Sequence, residues 1–393
     1  MSLKFLKSSL LGTLETYKNN YLAKDIIRNK GVVPKPKYFF WEVNDYCNSK
    51  CHYCNIWQRP TNKNYLSVED IENIFSSGDF SEVESIIVSG GEPILHKDIE
   101  NCLLTMSKHV KDGCNFSFST NGLLPKKVFD VVTSLVEKGL RITVGISLDG
   151  VGDNHDVPRG VKGNFIKVEK LINDLNIYIS NNKGKNRFEI EIGVGSMVTP
   201  ETSASIKEVI NYSNSKGISF LPQMYEEFTY YSSYDADDKN STLNQDIIFG
   251  NAIDDKSITK EFYKDFKMIE KESDRKIMLD AVEKVDKKMQ YEVLHKCITD
   301  KPLKFQCGSM TRFFLLHHDG SVSPCLKYAH IRTGNVKEGG YFNVMDSKES
   351  CDARKLVANC RGCSNSWATS WSLTDWIFPF IPMILRSRIR RLF

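Results

Sequence analysis

Three cysteines lie within eight residues of one another, Cys47, Cys51 and Cys54, in the stretch NDYCNSKCHYC. Soft thiolates at this spacing can hold an iron–sulfur cluster. A four-iron cluster needs four ligands, so three protein thiolates leave one iron open to something else. Catalytic metal sites use the same device, with the protein fixing the ion and a free position receiving the reactant. Two other readings compete. One is a zinc site completed from a distance, for which His52 inside the motif and His96 are the available partners. The other is three core cysteines brought together by chance, which the neighbouring Asn, Ser, Lys and His residues argue against.

A second set comes late in the chain. Cys307 is followed by twelve residues, Gly320, four residues and Cys325, and Cys360 and Cys363 form a C-x2-C pair in CRGC. A turn at Asp319–Gly320 in HHDGSVSPC would fold Cys307 toward Cys325. The tight pair then completes a four-ligand set with no open position, which suits electron transfer. Zinc held by four cysteines remains open for this set alone. Cys351 is a spare candidate, Cys102 and Cys114 read as core, and Cys297 reads as a bystander.

The elements that must position these residues alternate. After a helix over residues 3–28 and a break at Gly31, Pro34 and Pro36, the stretch YFFWEVN (38–44) reads as a strand. Ser67 as N-cap with Asp70 at the third helical position opens the next helix. Strands ending in SGGEP, STNG, SLDG and GVGSMV follow, each succeeded by a helix, and ISFLPQM makes the sixth strand. Six strand–helix units predict an α/β fold, a partial (β/α)6 TIM-like barrel with ligands at the carboxyl ends of its strands. The expected divisions are an N-terminal helix and linker (1–36), the barrel (37–222), a helical insertion (223–300), a small α+β auxiliary cluster domain (301–365) and an aromatic, basic tail (366–393).

At this point a family comes into view. C-x3-C followed by x-aromatic-C, with Tyr53 in the aromatic place, resembles the radical S-adenosylmethionine superfamily. That resemblance implies a [4Fe–4S] cluster on Cys47, Cys51 and Cys54 whose open iron is chelated by S-adenosylmethionine. It implies reductive cleavage to a 5′-deoxyadenosyl radical that abstracts a substrate hydrogen. Other strand ends match in order: Gly90, Gly91 and Glu92 at the methionine amino group, and Ser119, Asn121, Ser147 and Asp149 facing its methionine and ribose ends. Arg159, in the "RG…G-F" segment common in the maturase branch, would reach the cofactor carboxylate, and Met197 would sit beside the adenine. The later cysteines resemble the SPASM/Twitch subfamily. Nothing but Ser, Asn and Trp follows Cys363 closely, so the shortened Twitch form with one auxiliary cluster on Cys307, Cys325, Cys360 and Cys363 is expected.

Composition excludes little beyond disorder. Charged residues are 26% and hydrophobic ones 41% of 393 residues, with a net charge of +4 and no extended basic face for nucleic acid. No 18-residue apolar run and no secretory signal occur, so eleven cysteines predict a cytoplasmic, reduced protein. Trp376–Leu385 with four following arginines predicts peripheral contact with an anionic membrane on its inner face, against the alternative of a tail packed on the barrel. Flotation with anionic liposomes, lost on deleting 376–393, is the expected behaviour. Peptide-modifying relatives often carry an N-terminal recognition domain of some eighty residues, and only 37 precede the first strand here. The expected reaction is therefore oxidation or epimerisation of a sugar, glycan or other small or lipid-linked substrate. A peptide-modifying maturase is the alternative, and a non-catalytic zinc or iron–sulfur interaction protein at a membrane is the reading from another class. An external flavodoxin- or ferredoxin-type donor would supply the electron. Tyr225, Glu226 and Glu227 are candidate substrate contacts, and no proton-transfer residue can be named.

Overall fold

A computed structural model describes residues 33–60, 64–199, 201–224, 307–358 and 360. The N-terminal helix, the helical insertion, the tail, Cys297, Cys363 and the Tyr225–Glu227 candidates lie outside the described residues.

The expected alternation is present. Strands β1 (Tyr38–Glu42), β2 (Ser85–Ser89), β3 (Asn115–Thr120), β4 (Arg141–Ser147), β5 (Glu191–Val198) and β6 (Ser219–Met224) pair in parallel in sequential order. Between them run α1 (Val68–Ser76), α2 (Ile99–Ser107), α3 (Pro125–Glu137), α4 (Asp153–Arg159), α5 (Asn164–Asn181) and α6 (Ile206–Lys216). Ser67 and Asp70 form the reciprocal capping box that their spacing predicts. Pro125 opens α3, and Gly217 closes α6 in the left-handed conformation.

The strands alternate between fully buried and half-exposed residues. Ile86, Val88, Phe116, Phe118, Val144 and Val194 make the buried set and share one core with Val128, Val132 and Leu171 of the helices. The opposite face carries small and polar residues in register: Ser119 lies beside Gly145, and Ser147 beside Gly195. Over β3–β5 this face carries Ser119, Thr143, Gly145, Ser147 and Gly195 at half-buried positions.

Helix α4 has no counterpart in the strand–helix reading. It is short, contains Pro158 in its last turn, and is marked only by acidic residues in its first turn and Gly160 after its end. It carries Arg159.

The auxiliary region is joined to the barrel rather than set apart. Strand β7 (Phe313–Leu316) pairs in parallel with β1, Tyr38 opposite Phe313 and Trp41 opposite Leu316. β8 (Ser321–Ser323) and β9 (Gly334–Asn335) continue the sheet antiparallel, so the described residues contain one sheet of nine strands. Phe314 stacks on Phe39 at 5.4 Å. Two further helices, α7 (Val336–Asp346) and α8 (Lys348–Ala358), follow. Tyr341 of α7 packs on Phe80 at 4.8 Å and donates from its phenol to the Pro34 carbonyl at 2.8 Å.

Candidate active site

The loop after β1 carries the first three cysteines across the carboxyl ends of the barrel strands. It is held by backbone groups that α4 would otherwise leave unpaired at its carboxyl end. The Lys50 and His52 amides donate to the Arg159 and Pro158 carbonyls at 3.2 and 2.9 Å, and Ser49 Oγ donates to the Arg159 carbonyl at 3.1 Å. Gly160 lies so close that a Cβ there would meet the Lys50 carbonyl oxygen at 2.3 Å, at a φ of +64°. On the other side, Gly91 N donates to Asn44 O and Glu92 N to Tyr46 O, both at 2.8 Å. A Cβ on Gly91 would fall 1.9 Å from the Tyr46 carbonyl oxygen. These glycines let the end of α4 and the end of β2 grip the cysteine loop, a role that sequence spacing alone would have assigned to ligand approach for Gly91.

Each sulfur faces a donor. Cys47 Sγ accepts from Ser49 N at 3.4 Å and Asn121 Nδ2 at 3.6 Å. Cys51 Sγ lies 3.3 Å from Ser49 Oγ and 3.8 Å from Arg159 Nη1, and Cys54 receives the Ile56 amide. Burial pushes the Cys47 thiol up to about 12 and Cys54 up to about 11. Left to themselves these groups are thiols. A thiolate set ringed by donors needs a bound cation to offset its charge, and an iron–sulfur cluster supplies one. Among the described residues, no three His, Cys, Asp or Glu side chains are gathered tightly enough for a single metal ion. His96 is unavailable as a zinc ligand: its Nε2 meets the Leu66 carbonyl at 3.2 Å and its Nδ1 accepts from Asp98 N at 3.2 Å. His52 is half-exposed and pairs with Glu201 at 3.1 Å.

Asp149, at the end of β4, is the hub of the site. Its Oδ2 accepts from Tyr53 OH at 2.5 Å and Arg159 Nε at 2.6 Å, and its Oδ1 from Met197 N at 2.9 Å. The ring of Tyr53 lies under the Arg159 guanidinium at 5.5 Å. The four residues Tyr53, Asp149, Arg159 and Met197 are thus brought together. The carboxylate of Asp149 is spent on orienting the other three, where the family resemblance had it facing the cofactor. Ser119 and Ser147 lie on the half-exposed face at neighbouring strand ends.

Glu92 is turned inward. Its Oε1 accepts from Thr120 Oγ1 at 2.9 Å and Ile94 N at 3.4 Å, and its Oε2 from Asn121 N at 2.7 Å. Burial pushes its pKa up to about 7, although those three donors pull the other way. Asn121 meanwhile bridges to Asn48 Oδ1 at 2.8 Å as well as to the Cys47 sulfur.

The second cysteine set assembles around β7 and β8. The turn at Asp319–Gly320 is present, with Gly320 at a φ of +88°. Phe313 packs against both Cys307 and Cys325. Burial pushes Cys325 up to about 12, Cys307 adds to this, and the Lys327 and Tyr328 amides on the sulfur oppose it. The Tyr328 phenol bonds to Cys360, and Cys325 and Cys307 act on the same phenol. Cys307, Cys325 and Cys360 therefore share one neighbourhood. Cys351 is held apart by the Arg354 guanidinium at 3.1 Å on α8. Cys102 and Cys114 are core residues, as expected.

The model of the radical SAM superfamily matches residues 41–212, and that of the SPASM iron–sulfur cluster-binding domain matches residues 307–364. The chain thus carries a radical SAM domain followed by a SPASM iron–sulfur cluster-binding domain. These two domains imply [4Fe–4S] clusters, with S-adenosylmethionine as cofactor. The subtilosin biosynthesis protein AlbA of Bacillus subtilis is 30% identical over 155 residues, 37% of this chain and 32% of that protein. The matches to the first three curated relatives span 30–43% of those proteins' lengths. Among solved structures, Streptococcus suis SuiB bound to its precursor peptide SuiA superposes with a TM-score of 0.58 at 16% identity, covering 95% of this chain and 76% of that one. The anSMEcpe protein with bound AdoMet and Cp18Cys peptide superposes at 0.57 and 18%, covering 90% of this chain and 99% of that one. At these identities the superpositions establish a common fold. Among the described residues no helix is long and apolar enough to cross a membrane.

Proposed function

We propose that this radical SAM enzyme carries out a net two-electron oxidation on a peptide substrate. Its catalytic cluster would be held by Cys47, Cys51 and Cys54, and an auxiliary one by Cys307, Cys325, Cys360 and Cys363. The observation that carries the reading is the three-thiol loop clamped between α4 and the β2 end, each sulfur facing a donor, with no fourth thiol among the described residues beside it. Bound there, the cluster and S-adenosylmethionine supply hydrogen-atom abstraction. The chain itself binds and orients. Arg159 Nη2 has no partner among the described residues, which leaves one end of the guanidinium for a carboxylate. Ser119, Ser147 and the backbone at Met197 line the half-exposed face. Glu92 would hold the cofactor's ammonium through its remaining lone pair on Oε2.

The expectation of a sugar or lipid-linked substrate gives way here to a peptide. A solved structure matched over 99% of its length by this chain holds a bound peptide, which supports a peptide substrate. The relative in bacteriocin biosynthesis favours the same side. Contact of the 366–393 tail with anionic lipid stays a separate proposal, tested by the flotation assay above.

Two measurements test the enzyme reading. Anaerobic reconstitution should give about eight irons per chain, the content of two four-iron clusters. Dithionite with S-adenosylmethionine should then give 5′-deoxyadenosine, and a substrate peptide should lose two hydrogens. Bound zinc without cofactor cleavage would overturn it, whereas solvent deuterium in the product would replace oxidation by epimerisation.

Glu92 makes the cofactor step pH-dependent. An ammonium ligand needs the carboxylate, and Glu92 titrates near 7. Affinity for S-adenosylmethionine should weaken by up to about tenfold per pH unit below that value and level off above it. The apo fold responds in the opposite sense. Its raised carboxyl holds a proton that the unfolded chain releases, so this group's contribution to stability falls as pH rises from about 4.5 to about 7. Calorimetry of anaerobic cofactor binding across this range decides the matter, and a flat affinity rules out Glu92 as the ammonium partner.

A further inference from the structure

A buried chain of ionisable groups crosses the β1–β7 seam between the two cysteine sets. Glu42, the last residue of β1, and His317, the first residue after β7, are both 0% exposed. His317 Nδ1 lies 2.5 Å from Glu42 Oε2, and His317 Nε2 lies 2.9 Å from Ser323 Oγ on β8. Next along, His318 Nδ1 is 3.6 Å from the same Glu42 oxygen, and His318 Nε2 is 3.6 Å from Asp45 Oδ2. The phenol of the half-buried Tyr65 donates to Asp45 Oδ1 at 3.2 Å. One end of this chain is thus two residues from Cys325, and the other is two residues from Cys47.

Proton counting shows that the network holds an extra proton. Ser323 Oγ spends its hydrogen on the Ala329 carbonyl at 3.0 Å. It must therefore accept from His317 Nε2, which fixes a hydrogen on that nitrogen. The 2.5 Å contact at Nδ1 then needs a second proton, shared between imidazole and carboxylate. Two polar atoms of the same network, Glu42 Oε1 and His318 Nδ1, are buried and make no hydrogen bond. Such atoms are costly unless they are used. They are the places where a proton can arrive without breaking an existing bond.

We propose that Glu42, His317 and His318 form a proton-uptake site for the auxiliary iron–sulfur centre, loading one proton from solvent when that centre gains an electron. The step balances: one electron enters the cysteine-held centre from the reductant, one proton enters the network by way of Asp45 and Tyr65, and the net charge of the buried region is unchanged. It rests on the SPASM centre alone and is independent of which substrate the enzyme takes.

The surrounding charges set the sign. His317 faces Glu42 from β1, Asp319 from its own turn and Arg332 from the segment before β9; His318 faces Glu42, Asp45 and Asp319. Burial lowers His318, and the carboxylates of Glu42 and Asp45 more than offset it and raise its pKa. Burial lifts the Glu42 carboxyl, and the two imidazoles overcome this and hold it well below the carboxylate range. Burial holds the His317 imidazole below the ordinary histidine value although Glu42 opposes it, so His318 is the imidazole whose raised proton affinity an added electron nearby would increase further, and reduction is favoured at low pH.

The test is a redox titration of the reconstituted holoprotein between about pH 6 and pH 9, the range over which histidine responds to its surroundings, followed through the EPR signal of the auxiliary centre. The reduction equilibrium should fall by up to about tenfold per pH unit as pH rises, one proton per electron. That slope should be lost in Glu42→Gln or in His318→Gln, with iron content kept. A flat wild-type profile overturns the proposal whatever the variants do, and so does a slope that persists in both variants. Failure to assemble a second cluster at all would instead count against the auxiliary ligand set.

Discussion

Cys51→Ala is expected to abolish reductive cleavage of S-adenosylmethionine, a loss greater than the roughly 10–100-fold that changes behind a metal's ligands cost. The Cys51 sulfur sits between Ser49 Oγ and the Arg159 guanidinium, in a residue that is 8% exposed. Removing one sulfur from a loop whose backbone is tied to α4 and β2 leaves the scaffold in place, so circular dichroism and melting should change little. Iron should fall from about eight to about four per chain, since the other cluster has its own ligands. Cys360→Ala should show the complementary pattern, losing the auxiliary iron and keeping part of the cleavage. If Cys51→Ala still forms 5′-deoxyadenosine, the three-cysteine set is not the catalytic one.

Asp149→Asn should be the most destabilising single change at the strand ends. Its carboxylate pairs with Arg159 at 2.6 Å, with the two side chains 0% and 9% exposed. Unmaking one half of a buried pair costs about 3–5 kcal/mol, because the other charge is left without compensation. The Asn side chain keeps one acceptor oxygen, so it can serve Tyr53 OH or the Met197 amide and no longer both. The double variant Asp149→Asn/Arg159→Met should recover most of the stability, as replacement of whole buried pairs by apolar groups often does. It should not recover cofactor binding, because no guanidinium is left for the carboxylate. Denaturant melts and cofactor affinity, measured side by side on the single and double variants, separate the two roles. Recovery of both together would make Arg159 purely structural.

The barrel was legible because its information is local. Ser67 and Asp70, Pro125 and Gly139, and the glycines at strand ends each signal an element within a few residues, and the cysteine spacings are equally short-range. Other features depend on distant partners. Nothing in TRFFLLHHDG announces that Phe313–Leu316 will lie beside Tyr38–Trp41, and α4 is too short and too interrupted by Pro158 for periodicity to find it. The use of Asp149 was missed for a related reason. A carboxylate at a strand end reads equally well as a ligand contact or as an anchor, and only the positions of Tyr53, Arg159 and Met197 decide. Glu42 and His317 were invisible as a pair, since they lie 275 residues apart. The double histidine after a strand was the one signal available.

The parallel seam between β1 and β7 has a consequence for how the chain is made. Until residue 316 has left the ribosome, β1 has a neighbour on one side only, and its apolar Phe39, Phe40 and Trp41 border an open edge. Pairing across so long a separation is slow to close. The barrel half therefore emerges as an aggregation-prone intermediate, and the residues that finish it also bring the auxiliary cysteines. Insertion of the auxiliary iron and completion of the sheet thus fall in the same late window of synthesis. A chain starved of iron should accumulate in that window, recognisable by its capture on chaperones and its sensitivity to protease along the first strand.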